Sequence, residues 1–439
     1  MKVLKFGGTS VGSAQRMQLV LEIITASAEP KVIVLSAVSG TTNKLVAIGD
    51  LLLAKKISKA NASIKALAEE YQLFIASLLS QPSLVEKAKT IVENSFSLMR
   101  NYLNYPFGRS KNNELVAQGE LMSTNLFNLF LEEHGVKSKL VLALDYVHLS
   151  GEGEPVVKDI SQKLNAIIQE DKEHNLFITQ GFICLNHEGD IDNLKRGGSD
   201  YSASLIGAAL KADEIQIWTD IDGMHNNDPR VVNATKAIKH LSFDEAAELA
   251  YFGAKILHPA TILPAQEAAV PVRLKNTMQP QAEGTLIDKN AENREVKAVA
   301  AKDGITAIKI KSSRMLLAHG FLLKIFQIFD AYKTPIDLVT TSEIAVSLTI
   351  DDTTHLPKIT KELEQLGMVE IDGNQSIICL VGNFILKNSE VIKNLFHSIE
   401  ELPVRMISLG GSKNNISLLI PTKFKLQALK NINQGVFGM

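Results

Sequence analysis

The sequence predicts an α/β protein with a mostly parallel sheet covered by helices on both faces, followed by two smaller ferredoxin-like units. Three observations lead to this prediction. Short apolar runs with strand character alternate with helix-like segments over residues 1–290. Polar turns that contain glycine follow several of these runs, as they do where a sheet of this kind binds phosphate groups. Beyond residue 300, a pattern of helix, proline, strand, turn and strand occurs twice.

The predicted strands of the first region are short apolar runs, which is typical of parallel strands buried on both faces. They are 3–6, 31–37, 138–144, 176–183, 214–219 and 270–274. The stretch 60–102 instead carries apolar residues at helical spacing. It predicts a helical insertion, over about 60–105, that closes over the sheet.

Polar and charged residues crowd between 284 and 295, which marks a domain boundary. We therefore predict a first domain over 1–290. The first ferredoxin-like unit is predicted at 303–375, and the second combines 296–302 with 376–439. Sheet edges of such units commonly pair with another copy, so we expect a homodimer.

Composition excludes several classes of protein. The chain has 439 residues, of which 45% are hydrophobic, and a formal net charge of -2. It therefore lacks the basic surface that nucleic-acid binding requires and any general attraction to membranes. No apolar stretch approaches the roughly 20 residues that cross a bilayer, and the first strand follows Met1 without a signal sequence. We expect a cytoplasmic protein in which Cys184 and Cys379 are buried thiols without a disulfide.

The first glycine-bearing turn comes directly after the first strand. Gly7 and Gly8 permit close backbone approach, and Thr9 or Ser10 can cap the helix that follows. The free N–H groups and dipole of that helix favour an anion, and Lys5 adds a positive charge beside them. The alternative is a tight turn without a ligand and a solvated lysine at the strand end.

Five short motifs occur in the order found in aspartokinases, and the chain resembles a monofunctional, lysine-sensitive member of this family over its full length. The motifs are KFGGTS from Lys5, RGGSD from Arg196, TDIDG from Thr219, DPR from Asp228 and GAKILHP from Gly253. The resemblance implies a three-layer amino-acid-kinase sandwich followed by two ACT domains, with no length left for a fused homoserine dehydrogenase. It also implies phosphorylation of the β-carboxylate of L-aspartate by ATP and Mg²⁺, the first step of lysine, threonine and methionine biosynthesis.

Phosphorylation of a carboxylate is mainly an electrostatic problem. A carboxylate with a pKa of about 3.9 is already ionised at neutral pH, so it needs no general base. Catalysis then consists of positioning and of cations placed where negative charge develops. The resemblance assigns Lys5 to the transferring phosphoryl group and Asp200 to the organisation of Lys5 and the metal–phosphate end. For Asp200, a helix cap remains the alternative.

Aspartate carries two carboxylates and an ammonium, so its site needs a cationic fork and an acceptor. Arg196 suits the α-carboxylate, and Glu120, predicted at the start of a helix, suits the ammonium. The alternative for Glu120 is an acid that only satisfies a helix dipole. The resemblance adds these substrate residues: Ser36, Ala37, Thr42, Phe182, Gly198 and Ser199. It assigns these residues to the nucleotide: Gly7, Gly8, Ser10, Thr219, Asp220, Arg230 and Lys255.

Some positions near these motifs depart from the family pattern. The departures are His225 for tyrosine, Cys184 and Lys195 for glycine, and Asp192 and Asn193 for threonine. We interpret them as a subfamily variant that keeps the charged core of the site. No metal site with several protein ligands is predicted, because the turn after Asp220 lacks the spacing of a calcium loop and His258 has no partner at ligand spacing.

The ACT pair implies regulation by an end-product amino acid. A turn at Gly320 opens a helix whose N–H groups can hold an α-carboxylate, and Asp337 and Glu343 can receive ammonium groups. Lysine, with two ammonium groups, best uses two acids and is the expected effector, although Ala318 replaces a serine usual there. The alternative is an ACT fold without an effector. The predicted effector residues are Met315, Gly320, Phe321, Leu322, Asp337, Thr341, Ser342 and Glu343.

Two other functions remain open. A kinase of the same fold could phosphorylate another acidic amino acid such as glutamate, since one methylene is worth only about 1 to 3 kcal/mol of discrimination. Those relatives lack tandem ACT units. A catalytically silent amino-acid sensor is the second alternative, and the presence of Lys5, Arg196, Asp200 and Lys255 argues against it.

Overall fold

The structure is a computed structural model, and it describes residues 1–194, 197–253, 259–290, 296–315, 319–383 and 385–439. The chain forms two compact units. The first comprises Met1–Met224 and Leu257–Asn290, and the second comprises His225–Ile256 and Ala291–Met439.

The strands and helices follow each other in the predicted alternation. The strands are β1 (Lys2–Phe6), β2 (Lys31–Leu35), β3 (Lys139–Val141), β4 (Leu176–Gln180), β5 (Ile183–Leu185), β6 (Ile191–Asn193), β7 (Glu214–Thr219), β8 (His240–Ser242), β9 (Val272–Asn276), β10 (Thr285–Asp288), β11 (Val296–Lys311), β12 (Val339–Thr341), β13 (Ala345–Ile350), β14 (Met368–Gly382), β15 (Met406–Leu409) and β16 (Asn415–Pro421). The helices are α1 (Ala14–Thr25), α2 (Thr41–Leu53), α3 (Ile57–Leu78), α4 (Pro82–Asn101), α5 (Arg109–Glu133), α6 (Val157–Glu170), α7 (Gly198–Leu210), α8 (Phe243–Tyr251), α9 (Pro259–Glu267), α10 (Phe321–Ala331), α11 (Leu356–Leu363), α12 (Ser389–Ser398) and α13 (Lys425–Phe437). Short 3-10 turns lie at Ala143–Asp145, Ser313–Met315, Ile385–Lys387 and Thr422–Phe424.

The first unit is built on a sheet in which β3, β4, β2, β1, β7, β9 and β10 are neighbours in that order. The pairs from β3 to β9 are parallel, and only the β9–β10 pair among them is antiparallel. Every residue of β2 and β4 is buried, as strands with helices on both faces require. The predicted mostly parallel α/β sheet is therefore confirmed.

One face of this sheet and the helical insertion share a core. Leu4, Phe6, Ile33 and Leu35 alternate along β1 and β2 and pack with apolar residues from α1 to α5. The predicted insertion consists of α3 and α4, whose buried residues recur at helical spacing. Lys5 lies on the opposite face of β1 from Leu4 and Phe6, because side chains alternate along a strand.

The position of the site follows from the strand order. The chain leaves β1 toward β2 on one side and returns to β7 on the other side of β1, so the strand order reverses there. Open α/β sheets bind ligands in the crevice beyond the carboxyl ends of strands at such a reversal. The segments that follow β1, β2, β4 and β7 all leave the sheet at that edge.

The second unit contains an antiparallel sheet in the order β12, β13, β11, β14, β16 and β15. The sequence predicts two tandem units, and the structure shows that both share the long strands β11 and β14. The β11–β14 pairing shifts register between Lys302 and Ala307, where the two halves meet. Each half has its own core, around Ile325 and Phe329 in one half and around Leu395 and Leu418 in the other. The sheet is thus continuous while the packing is duplicated.

Residues 225–256 fall in the second unit, although the predicted first domain runs to residue 290. The reason is local packing and hydrogen bonding. Val232 belongs to the core that contains Leu395, and Asn227 Nδ2 donates to the carbonyl oxygen of Leu429 at 3.0 Å.

Cys184 and Cys379 are buried thiols outside any disulfide, as predicted. Burial raises the pKa of the Cys379 thiol. Among the helices that the structure describes, we find none with both the length and the apolar character to cross a membrane.

Candidate active site

The turn after β1 is held by its own hydrogen bonds. Ser10 N donates to the Gly7 carbonyl oxygen at 2.8 Å, and the buried Ser10 hydroxyl is hydrogen-bonded to Thr277 Oγ1 at 2.7 Å. The prediction that Thr9 or Ser10 caps the next helix is wrong, since α1 begins at Ala14 and Ser13 Oγ accepts from Arg16 N. The Ser10 side chain stabilises the turn, and its hydroxyl already has a partner.

Lys5 and Asp200 form an ion pair. Lys5 Nζ lies 2.6 Å from Asp200 Oδ1, and the two side chains are 11% and 18% exposed. Asp200 lies in the first turn of α7, whose N-cap is Gly197, so Asp200 does not cap the helix. A Cβ at Gly7 would lie 3.3 Å from Lys5 Nζ, so a glycine there leaves room for the ammonium. The structure therefore brings together the two residues predicted to be catalytic.

A cavity of about 450 Å³ lies at the carboxyl edge of the sheet. It collects the predicted substrate residues that the structure describes, with Gly8 of the first turn. Its predicted lining residues are Ser36, Ala37, Thr42, Glu120, Phe182, Gly198 and Ser199. Arg196, the predicted ligand of the α-carboxylate, is outside the described residues.

The cavity also has lining residues that the sequence analysis missed. They are Thr9, Val38, Ser39, Gly40 and Asn43. The sequence does contain a signal for them, since a turn with glycine lies between a strand and an apolar helix, as it does after β1. Gly40 is the N-cap of α2, with a φ of 79°. The helix dipole of α2 thus begins at the cavity wall.

Glu120 is the buried acid of this cavity. It was predicted at the start of a helix, and this is wrong, because the polar run 109–114 is itself helical and places Glu120 in the middle of α5. A helix-dipole role is therefore excluded. Glu120 Oε1 accepts from Ala37 N at 3.2 Å, while Oε2 is buried and has no hydrogen-bond partner among the described residues. Burial raises the pKa of Glu120 to about 7.

Small residues allow the cavity walls to approach each other closely. A Cβ at Gly181 would lie 2.4 Å from Ser199 Cβ, and one at Gly119 would lie 2.9 Å from Ala37 Cβ. The Ser36 hydroxyl donates to Ser199 Oγ at 2.9 Å, which joins the turn after β2 to the start of α7. The cavity shape therefore depends on these positions.

Phe182 is held in the left-handed region, with a φ of 69°. Its backbone N–H donates to Ser202 Oγ at 2.8 Å, and its carbonyl oxygen accepts from Leu194 N at 2.7 Å. Such a conformation costs a non-glycine residue about 1–3 kcal/mol and persists only where its surroundings hold it. In this conformation Phe182 lines the cavity.

The predicted nucleotide residues are distributed more widely. Thr219 is the last residue of β7 and Asp220 follows it. The Thr219 hydroxyl donates to Asp220 Oδ1, and Thr277 N donates to the Thr219 carbonyl oxygen. Arg230 belongs to the second unit, where it makes two side-chain hydrogen bonds to Asp228 and is 80% exposed. Lys255 is outside the described residues.

Comparisons with known proteins identify the family of this chain. Residues 1–276 match the amino acid kinase family, and residues 378–435 match an ACT domain. The chain is 34% identical to the lysine-sensitive aspartokinase 3 of Escherichia coli over 99% of both chains. The chain belongs to the aspartokinase family.

Solved structures of this family share the whole architecture. The crystal structure of E. coli aspartokinase III in complex with aspartate and ADP, in the R-state, matches with a TM-score of 0.85 at 34% identity over 100% of both chains. The T-state complex of the same enzyme with lysine and aspartate matches with a TM-score of 0.81 at 34% identity, over 100% of this chain and 99% of that one. An amino-acid kinase fold followed by ACT-type halves is therefore established for this aspartokinase.

The predicted effector residues lie in the second unit of this aspartokinase. Gly320, with a φ of 79°, is the N-cap of α10, so the predicted helix start is confirmed. Phe321 and Leu322 open α10, Met315 ends a 3-10 turn, and residues 316–318 are outside the described residues. The Asp337 side chain is almost fully buried, whereas Ser342 and Glu343 lie in an exposed turn after Thr341.

A metal ion would find few protein ligands here. Within the described ranges, no group of three or more histidine, cysteine, aspartate or glutamate residues could hold one. Asp200 beside Lys5 supplies a carboxylate, the oxygen ligand that Mg²⁺ prefers, and Mg²⁺ at phosphoryl-transfer sites takes its other ligands from phosphates and water. The donor set therefore fits Mg²⁺ bound together with ATP.

Proposed function

We propose that this aspartokinase transfers the γ-phosphoryl group of ATP to the β-carboxylate of L-aspartate, giving 4-phospho-L-aspartate. The observation that carries the proposal is the cavity of about 450 Å³, which gathers the predicted substrate residues around one buried acid. The aspartate and ADP complex of the E. coli relative supports the same substrates. The reaction would supply the biosynthesis of lysine, threonine and methionine in the cytoplasm.

Glu120 is our candidate for the ammonium of aspartate. Its Oε2 atom is buried at the cavity and has no partner within the described part of the chain, so an ammonium would satisfy it. The hydrogen bond from Ala37 N fixes the carboxylate through its other oxygen. With Arg196 on the α-carboxylate, the substrate would be held at one end, and its β-carboxylate would be left for the reaction.

Lys5 is our candidate for the cation at the transferring phosphoryl group. Asp200 holds its ammonium at 2.6 Å, which fixes the position of the charge beside the glycine turn. A preorganised cation stabilises charge that develops in the transition state without reorganisation at the moment of reaction. Gly7, Gly8, Thr219, Asp220, Arg230 and Lys255 are proposed to contact the nucleotide. Mg²⁺ bound with ATP would neutralise charge on the phosphates.

The second unit is proposed to bind L-lysine as a feedback inhibitor. Support comes from the E. coli relative, which is named lysine-sensitive and has a solved complex with lysine. Asp337 is a buried acid with one oxygen unpartnered among the described residues, and Gly320 begins α10 nearby in sequence. We also propose a homodimer through the ACT halves.

The test is ATP turnover with L-aspartate, followed as ADP release, with hydroxylamine trapping of the acyl phosphate. We expect trapped aspartyl hydroxamate and inhibition by L-lysine. Turnover with L-glutamate in place of L-aspartate would instead indicate the other acceptor. Lysine binding by calorimetry without any turnover would indicate a silent sensor and would exclude the kinase.

A further inference from the structure

Asp337 belongs to a cluster of four side chains in the second unit. Asp337 Oδ1 accepts from the Tyr251 hydroxyl at 2.5 Å and from Lys302 Nζ at 2.8 Å. Lys302 Nζ also lies 2.9 Å from Asp351 Oδ2 and 4.5 Å from the centre of the Tyr251 ring. Lys302 is thus a shared cation between two aspartates and the face of an aromatic ring.

The cluster has one negative charge in excess, since it contains two aspartates and one lysine. The Asp337 side chain is 2% exposed, and its Oδ2 is buried without a hydrogen-bond partner among the described residues. The backbone holds the acid in place, because Asp337 N donates to the Thr349 carbonyl oxygen at 2.9 Å. A buried acid with an open oxygen and a negative surplus favours a second ammonium group.

Each partner of Asp337 comes from a different part of the unit. Lys302 stands where the β11–β14 register shifts, between the two halves of the antiparallel sheet. Tyr251 is the last residue of α8, and the chain continues from it into Gly253, Ala254 and Lys255, the motif proposed to contact ATP. The hydrogen bond to Asp337 therefore involves the last residue of α8.

Helix α8 has a second attachment to the same sheet. Asn415 Nδ2 on β16 donates to Glu248 Oε2, which lies three residues before Tyr251 and so on the same helix face. Glu248 thus holds α8 to one half of the sheet and Tyr251 holds it to the other. Loss of the Tyr251 bond would leave the C-terminal end of α8 with one attachment fewer.

We propose that the Lys302 ammonium binds the same carboxylate, Asp337, that an ammonium group of the effector binds, and that Tyr251 is a positioning residue that transmits the displacement of Lys302 to α8. The inference rests on the proposed regulation by L-lysine. An incoming ammonium reaches the enclosed Asp337 carboxylate by displacing Lys302, which keeps its second partner, Asp351. The hydrogen bond from the Tyr251 hydroxyl to Asp337 is then broken, and the end of α8 moves with Tyr251. Two ligands are coupled in this way when each favours a different arrangement of one element.

The first test removes the internal cation. Lys302→Met is expected to tighten L-lysine binding at least about fivefold by calorimetry, because the competing ammonium is gone. Lys309→Met is the matched control, since Lys309 lies on the same strand and pairs with Glu370 away from Asp337. If Lys302→Met does not fold, Lys302→Gln is measured with the same expectation. An unchanged or weaker affinity, relative to the control, would overturn the role of Lys302.

The second test removes only a hydroxyl group. Tyr251→Phe is expected to bind L-lysine within about twofold of the unmodified protein, while the inhibition at saturating lysine falls at least about fivefold. Tyr332→Phe is the control, because Tyr332 also donates to a carboxylate, Glu362, in the same unit. A purely structural role for Tyr251 would change affinity and inhibition together, and inhibition equal to that of the control would overturn the proposal.

These measurements distinguish a failure of the proposed function from a failure of the inference on Lys302 and Tyr251. If the unmodified protein shows no turnover with aspartate, or neither binds lysine nor is inhibited by it, the proposed function fails and the inference fails with it. If lysine inhibits the unmodified protein and the Lys302 and Tyr251 variants behave as their controls do, only the inference is overturned.

Discussion

The two units each contain a lysine–aspartate ion pair of nearly equal length, in opposite surroundings. Lys5 and Asp200 are 2.6 Å apart beside glycine turns, whereas Lys302 and Asp337 are 2.8 Å apart beside a second aspartate and a tyrosine. Glycine turns and helix N-termini add positive potential to the first pair, and the surplus acid adds negative potential to the second. The ion pair alone therefore does not define a ligand. Its neighbours indicate an anion in one unit and a cation in the other.

The largest expected effect separates these two lysines. Lys5→Ala should lower kcat by on the order of 10²- to 10³-fold with a much smaller change in the aspartate KM, because its charge acts on the transferring phosphoryl group. Steady-state kinetics with ATP and aspartate measure this. Lys2→Ala is the control, since Lys2 lies on the same strand and pairs with the partly exposed Glu29. An unchanged kcat for Lys5→Ala would remove the contrast between the two pairs.

The next effect concerns Glu120, the buried acid of the first unit that we propose binds the ammonium of aspartate. Glu120→Gln should reduce kcat/KM for aspartate at least about 30-fold, because a buried charged partner of the ammonium is lost. The loss should appear mainly in KM. A variant with the original aspartate KM would show that the ammonium binds elsewhere.

The pH dependence of kcat/KM tests the role of Glu120 independently. Since burial raises its pKa to about 7, the carboxylate becomes protonated as the pH falls below that value and can no longer accept from an ammonium. The kcat/KM for aspartate should therefore fall up to about tenfold per pH unit below 7, and Glu120→Gln should flatten this limb.

Without aspartate, the raised pKa of Glu120 stabilises the fold below pH 4.5, and this contribution is lost as the pH rises through 7. The Tm of Glu120→Gln, relative to the Tm of the unmodified protein at the same pH, should therefore rise between pH 5 and pH 8.

A smaller effect tests whether the cavity needs its close backbone approach. Gly181→Ala would place a Cβ 2.4 Å from Ser199 Cβ, and overpacking of this kind costs about 1–3 kcal/mol. We expect a lower Tm and a raised aspartate KM, from thermal melts and kinetics. Gly151→Ala is the control, because a Cβ there meets nothing within 4 Å. Equal behaviour of the two variants would mean that the cavity wall adapts freely.

Local patterns in the sequence were sufficient for much of the first unit. The run 214–219 is β7 as predicted, and the glycine turns and Lys5 follow from strand ends and residue chemistry. The family resemblance then supplied Asp200 and the substrate residues. The helical position of Glu120 was missed because the polar residues before it lack an apolar period, and their helix is stabilised by tertiary packing.

The second unit was harder to predict because its decisive contacts are distant in sequence. The predicted unit boundaries at 302/303 and 375/376 fall within β11 and β14. The repeated pattern does not give the pairing of these two strands, because that pairing joins residues far apart in the sequence. The charge of Asp337 alone marks it as a candidate, because its partners Lys302 and Tyr251 lie 35 and 86 residues away and no motif links them. Short-range periodicity carries no information on such pairs.

The smallest expected effect compares the two acids proposed for lysine. Asp337 is enclosed, whereas Glu343 is an exposed residue of the turn that the Ser342 N–H to Ala345 carbonyl bond closes. An exposed charge pair contributes at most about 1 kcal/mol, so Glu343→Ala should raise the lysine concentration for half-inhibition up to about fivefold. Inhibition curves, each scaled to the uninhibited rate of the same variant, measure this, with the exposed Glu364→Ala as control. Because salt screens exposed charges, the difference should shrink as ionic strength rises, and a salt-independent effect would place Glu343 in an enclosed site instead.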